Sequence, residues 1–391
     1  MKRTRVALTA LAVVLLGYTG VRIFVPSYLE QQMNKVEPVD TITISQDAQA
    51  FHNSLIVGDW HADSLLWNRD LSEHGQTGHV DIPRLQQGNV ALQMFTTVTK
   101  SPVGLNYEEN NTDAADNITR LALVQGWPMD TWTSLTARAL FQADKLLEQA
   151  QEHANDFVVV TSQTTLATFL EKRQQHPKLV AGLLGTEGSH ALDGELENIQ
   201  VLYNKGFRMM SLQHFFDNKL GGSLHGTSQT GLTEFGKQAV EKMQQLDIIV
   251  DVSHSSEQTV KDVLAISTSP LVVSHTGFYG HCQSKRNIND GLMQQIAQAG
   301  GLIAVGHWDG AICSTQPTDI ADAIIYGINL VGDEHVSLGS DFDGAVTTAF
   351  DTSQLALITQ SLLNKGVSKE SISKVMGGNM LQFLQTNLPV N

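Results

Sequence analysis

Seven side chains able to ligate metal or move protons occupy comparable places in this sequence, each at the end of a short apolar run. His61 and Asp63 close one run; Glu187, His214, His254, His275 and Asp341 each close another. Side chains alternate along an extended segment, so His61 and Asp63 in "GDWHADSLLW" face the same way and can approach one ion together. His254 in "DVSHSS" and His275 in "VVSHTG" are single imidazoles ending very apolar strands, where both ring nitrogens need partners. Glu187 in "GLLGTEGSH" has glycines on either side that let other groups come close. Taken singly, each has a plainer reading: a surface pair, a hydrogen-bonded core imidazole, a loop carboxylate. Taken together they supply three imidazoles and two carboxylates, a donor set that suits Zn²⁺ better than Ca²⁺ or Mg²⁺.

Five ligands are too many for one catalytic zinc with an open position. They suit two ions roughly 3.5 to 4 Å apart, with Glu187 giving one oxygen to each. Water held between two cations becomes a hydroxide near neutral pH, and one ion polarises the carbonyl it attacks. Hydrolysis then needs a proton carrier for the leaving amine, a role open to Asp341 in "SLGSDFDG"; its other reading is a carboxylate that orients a ligand. Asp343 reads as the outward or supporting member of that pair. His74, His79, His153, His176 and His335 lie in polar or helical surroundings and read as solvated. His190, His225, His281 and His307 fall near the mouth without a partner argument.

The elements that must position these groups are eight runs rich in Val, Ile and Leu: "SLIVGDWH", "NVALQMFTTV", "LVAGLLGTE", "FRMMSLQH", "DIIVDVSH", "PLVVSHT", "GLIAVGHW" and "HVSLGSDF". Helical patterns separate them, which is the signature of parallel strands buried on both faces. Eight strand-then-helix units predict an α/β fold, a closed (β/α)8 TIM barrel whose body runs over 51–388. The candidate residues all stand at carboxyl-terminal strand ends, the face where barrel enzymes build their sites. A long gap after the second strand, Ser101 to Pro177, predicts amphipathic helices inserted over the mouth and an accessory strand at "DFVVV". Two helices close the chain.

Length permits a large core, and a net charge of −15 argues against nucleic acid as a partner. The first 25 residues differ in character. Lys2, Arg3 and Arg5 precede sixteen uncharged residues and then Arg22, which predicts a transmembrane anchor with the body exported; a cleaved signal and a secreted product is the alternative. Residues 26–50 read as a linker. Two cysteines, Cys282 and Cys313, are either one disulfide or two buried thiols.

The motifs "GDWHADSLLW", "GLLGTEGSHAL", "SLQHF", "VVSHTGFYGHCQSKRNINDGLM" and "SLGSDFDG", in this order, resemble the renal, or membrane, dipeptidase family of binuclear zinc peptidases, from about Leu55 to Leu384. The resemblance implies that His61 and Asp63 bind one zinc, His254 and His275 the other, and that Glu187 bridges. It further implies that His214 stabilises the oxyanion and that Arg286 holds the dipeptide carboxylate. Asp341 would handle the proton and contact the amino group. It raises the expectation of a Cys282–Cys313 bridge, a homodimer, and tolerance of a D-residue at the substrate's carboxyl terminus. No apolar tail follows Leu388, so the lipid anchor of the renal enzyme is not expected. The stretch "GLIAVGHWDGAIC" and the Ser101 to Pro177 insertion differ from the better-known eukaryotic members of that family, and both are expected to border the pocket where substrate preference is set. Two rival functions stay open: hydrolysis of N-acyl amino acids, lactams or other amides, and a non-catalytic peptide-binding protein of the envelope.

Overall fold

In the computed structural model, residues 18–22, 24–38 and 42–391 are described. Eight parallel strands form the body: β1 (Val57–Ala62), β2 (Val90–Val98), β3 (Val180–Glu187), β4 (Phe207–Ser211), β5 (Ile249–Asp251), β6 (Val272–Thr276), β7 (Leu302–Val305) and β8 (Val336–Leu338). They hydrogen-bond in chain order from β1 to β8, and each coincides with one of the predicted apolar runs. Every residue of all eight is buried, which explains why the runs show no polar alternation. The circle is nearly closed. Between β1 and the chain following β8 the sole bridge is Ala62 to Phe342, with the Asp63 amide donating to the Phe342 carbonyl at 3.0 Å.

The predicted insertion is present as α1 (Asn117–Gln125) and α2 (Leu135–Glu152), followed by the accessory strand Phe157–Val159 on the edge of β3. Asp116 caps α1 by accepting from the Ile118 and Thr119 amides, and Gly126 ends it at φ 68°. The same carboxylate pairs with Arg138 of α2 at 2.6 Å, locking the two helices into one unit. Of the two expected closing helices the second is interrupted: a π turn over Lys374–Gly378 brings Gly377 against the Ile56 and Val57 backbone, where a Cβ has no room. Cys282 and Cys313 form a disulfide.

Of the amino-terminal expectations, the linker needs correction. Residues 1–17, most of the expected anchor, lie outside the described residues, and among the described residues no helix is long and apolar enough to cross a membrane. Arg22 Nη2 donates to the Gln125 carbonyl at 3.4 Å. Residues 26–50 are not a free linker. Residues 24–33 are helical and docked: Glu30 pairs with Arg69 at 2.6 Å, and Asn34 Oδ1 accepts from the Ala345 amide at 2.9 Å. Strand Lys35–Val36 then pairs with Thr347–Thr348.

Candidate active site

All seven residues singled out above reach one buried cluster at the carboxyl-terminal end of the barrel. His61 Nε2 lies 3.6 Å from Asp63 Oδ1 and 3.6 Å from Glu187 Oε1. Glu187 Oε1 also stands 3.2 Å from His254 Nε2 and 3.3 Å from His275 Nε2, while Oε2 is 3.3 Å from His214 Nε2. Three sets of donor atoms lie within 4.8 Å of one another: His61, Asp63 and Glu187; Glu187, His254 and His275; His61, His275 and Asp341. Glu187 is common to the first two, which is the position a carboxylate shared by two cations requires.

The local backbone explains how residues so far apart in the chain converge. His61 and His275 sit in strands β1 and β6, and Glu187 is the last residue of β3. Gly188 follows at φ 82°; a Cβ there would press on the His190 ring and the His214 side chain, so glycine lets β3 turn sharply beside β4. His254 and Asp341 lie three residues beyond their strands in the left-handed region, at φ 61° and 60°, an unfavourable geometry held by the surrounding structure.

Two hydroxyls orient candidate ligands, one holding two imidazoles and the other a carboxylate. His61 Nδ1 and His275 Nδ1 lie 3.1 and 2.9 Å from Ser274 Oγ, which in turn donates to Asp251 Oδ2 at 2.7 Å. Thr96 Oγ1 donates to Asp63 Oδ1 at 2.6 Å. Neither Ser274 nor Asp251 was singled out from the sequence, although an aspartate inside the otherwise apolar "DIIVDVSH" was a visible signal.

Charge in the cluster is unbalanced without a cation. Burial pushes Glu187 well above the usual carboxylate range, and the Asp63 and Asp341 carboxylates push it further. Burial likewise carries Asp341 up to about 7, the nearby His61 opposing and Asp63 adding, and its Oδ1 has no hydrogen-bond partner. Burial and the Arg286 guanidinium hold His254 well below its ordinary value; burial does the same for His275, reinforced by His61. His61 differs: burial lowers its pKa, but the Asp63, Asp341 and Asp251 carboxylates outweigh this and hold it above its ordinary value. A divalent ion would displace these protons and offset the repulsion among the carboxylates, so the donor set fits such an ion.

The polar groups of the resemblance surround this centre. Arg286 is buried, with Nη2 donating to the His275 carbonyl at 3.0 Å and lying 3.2 Å from His254 Nε2; its guanidinium sits 5.4 Å from the Trp308 ring centroid. His214 Nδ1 donates to the Lys100 carbonyl at 3.0 Å, and burial lowers its pKa to about 4. In the resting neutral ring Nε2 therefore presents a lone pair, and His214 can donate to an oxyanion only after it takes a second proton. A cavity of about 480 Å³ adjoins the cluster, lined by Asp63, Glu187, His214, His254, Arg286 and Asp341 together with apolar residues of α1 and the amino-terminal helix.

Two minor expectations change. Asp343 is not outward but fully buried, accepting from Ser64 Oγ at 2.6 Å and from the His79 amide at 2.6 Å, and pairing with Arg69. His79 is buried rather than solvated: its Nδ1 accepts from the Asp343 amide at 3.0 Å and its ring stacks on Phe342.

Residues 45–388 match the profile of the membrane dipeptidases, peptidase family M19. The chain belongs to that family. Membership makes it a metallodipeptidase, and curated relatives are named accordingly: Dipeptidase aclJ of Aspergillus oryzae is 28% identical over 356 residues, covering 83% of this chain and 76% of the relative. Solved structures share the fold. Dipeptidase AC, a family M19 metallopeptidase, superposes with a TM-score of 0.72 at 22% identity, covering 86% of this chain and 99% of that one. A metallopeptidase from Rhodobacter sphaeroides, bound to a phosphinate mimic of the dipeptide L-Ala-D-Ala, gives 0.71 at 23% identity, covering 85% and 99%.

Proposed function

We propose that this metallodipeptidase hydrolyses dipeptides, including those with a D-residue at the carboxyl terminus, on a pair of Zn²⁺ ions. His61 and Asp63 would hold one ion and His254 and His275 the other, with Glu187 between them. The observation that carries this reading is the single Glu187 Oε1, within 3.2 to 3.6 Å of imidazoles belonging to both sets. When bound, such a pair lowers the pKa of water and polarises a carbonyl.

The chain's own groups account for the rest. Arg286, buried and without a carboxylate partner among the described residues, offers a fork to the substrate's carboxylate. Asp341, with an unpartnered oxygen facing the cluster and a pKa near neutrality, is suited to take a proton and return it to the leaving amine. His214, once it carries its second proton, can donate from Nε2 to the oxygen on which negative charge develops. A free amine is recognised on the Asp341 side, so blocking it should be ruinous. Tolerance of a D-residue draws support from the L-Ala-D-Ala mimic held by the Rhodobacter enzyme.

Elemental analysis together with kcat/KM over L-L, L-D and N-blocked dipeptides tests the proposal. About two zinc ions per chain and activity confined to unblocked dipeptides are expected; faster turnover of N-acyl amino acids would favour the amide-hydrolase alternative, and no turnover the binding protein. We further propose that the body is exported and held at a membrane by the segment around Val6–Val21, supported by its basic flank and uncharged run. Fractionation of cells before and after alkaline extraction decides this. A homodimer, carried over from the family resemblance, is decided by sedimentation.

A further inference from the structure

The family match begins at residue 45, yet the chain before it reaches the active site. Leu29 and Met33 of the helix over 24–33 line the same cavity as Glu187 and Asp341. That helix is fastened from three directions: Glu30 to Arg69, Asn34 to the Ala345 amide, and strand Lys35–Val36 to Thr347–Thr348. Ala345 and Val346 also line the cavity and follow Asp341 by only a few residues. The docked segment therefore stands beside the loop that carries Asp341.

Resting on the dipeptidase reading, we infer that Leu29 and Met33 form the wall against which the side chain of the substrate's amino-terminal residue packs, so that this addition to the family fold selects for bulky apolar residues there. With the substrate carboxylate on Arg286 and the amine toward Asp341, the side chain next to the amine points at the surface built by Leu29, Met33 and, from α1, Leu121 and Val124. An apolar wall removes apolar substrate surface from water, and that gain is realised only by a side chain long enough to reach it. Met33 remains 43% exposed in the free protein, so a ligand has surface left to cover. Its unbranched thioether can adjust to side chains of different shape.

The test uses the full chain and four dipeptides, Leu-Gly, Ala-Gly, Ala-Leu and Ala-Ala. In the double variant Leu29→Ala/Met33→Ala the kcat/KM ratio of Leu-Gly to Ala-Gly is expected to fall about five- to tenfold. The ratio of Ala-Leu to Ala-Ala, which reports the carboxyl-terminal residue, is expected to move less than about twofold. Met33→Ala alone, at a half-exposed position, should fold normally and move the first ratio in the same direction, with metal content and thermal midpoint as controls. An unchanged first ratio, or equal falls in both, overturns the assignment of this wall. Failure of the unmodified chain to cleave any of the four overturns the dipeptidase reading, and this inference with it.

Discussion

His61 and His275, from opposite parts of the sequence, turn their Nδ1 atoms onto one hydroxyl, that of Ser274. A serine hydroxyl has one proton and two lone pairs. The proton goes to Asp251, which leaves the lone pairs to accept from Nδ1–H of the two imidazoles at 3.1 and 2.9 Å, with the Ser253 hydroxyl a longer neighbour at 3.2 Å. Their Nε2 lone pairs are thereby left for the centre of the cluster. One buried serine sets the tautomer of two candidate ligands.

Ser274→Ala should accordingly weaken metal binding by about 10- to 100-fold, the usual effect of losing a ligand's orienting partner. Competition with a chelator measures it. Activity should return at saturating metal; an unaltered affinity would mean that the rings are oriented without the hydroxyl.

Asp341 separates ligation from proton transfer. Its Oδ1 lies 3.9 Å from His61 Nε2, close enough to count among possible metal donors. Asp341→Asn should retain the full metal content and lose about 10²- to 10⁴-fold in kcat. Loss of one ion per chain in this variant would make Asp341 a ligand instead.

Asp343 supplies a pH-dependent part of the stability. Burial alone would raise its pKa, but Arg69, His79 and Ser64 outweigh that and hold it far below the ordinary carboxylate value. A carboxyl depressed in the folded state stabilises at pH above its unfolded pKa, near 4, and loses that contribution as pH falls. The stability difference between the unmodified chain and Asp343→Asn should shrink by about 1 kcal/mol between pH 6 and pH 3, as read from urea unfolding. A difference that is flat over this range would contradict the assignment.

The disulfide and Asn287 join the same two segments. Cys282 bonds Cys313, while Asn287 Nδ2 donates to the Cys282 carbonyl at 2.9 Å and to the Ala311 carbonyl at 2.8 Å. Because the hydrogen bonds still tether the loop bearing Arg286, Cys282→Ser/Cys313→Ser should cost about 2–4 kcal/mol of stability. At room temperature kcat/KM should stay within about threefold. A large rise in KM would show that the bridge, not Asn287, positions the guanidinium.

The barrel was legible because each strand is buried on both faces, leaving an unbroken apolar run ended by a polar group. The cluster was legible for the same reason, since a His or Glu at such a point has few other uses. What escaped was set by distant contacts. His79 sits among polar neighbours in "GQTGHVD", and distant groups enclose it: the Phe342 ring, the Asp343 amide and the Lys35 carbonyl, 3.2 Å from Nε2. Ser274 carries no periodic signal and gains its meaning from His61. The segment 26–50 looked like a linker by composition, and the docking of its first part rests on Glu30 and Asn34 meeting Arg69 and Ala345, partners no local pattern reveals.

The thin join between Ala62 and Phe342 bears on biogenesis. A ribosome delivers His61, Glu187, His254 and His275 long before residue 342, yet the ring that draws them together lacks its last stave until then. The complete cluster therefore depends on a segment made after all four of these side chains, and a chain ended before it would lack the closing strand and Asp341 alike.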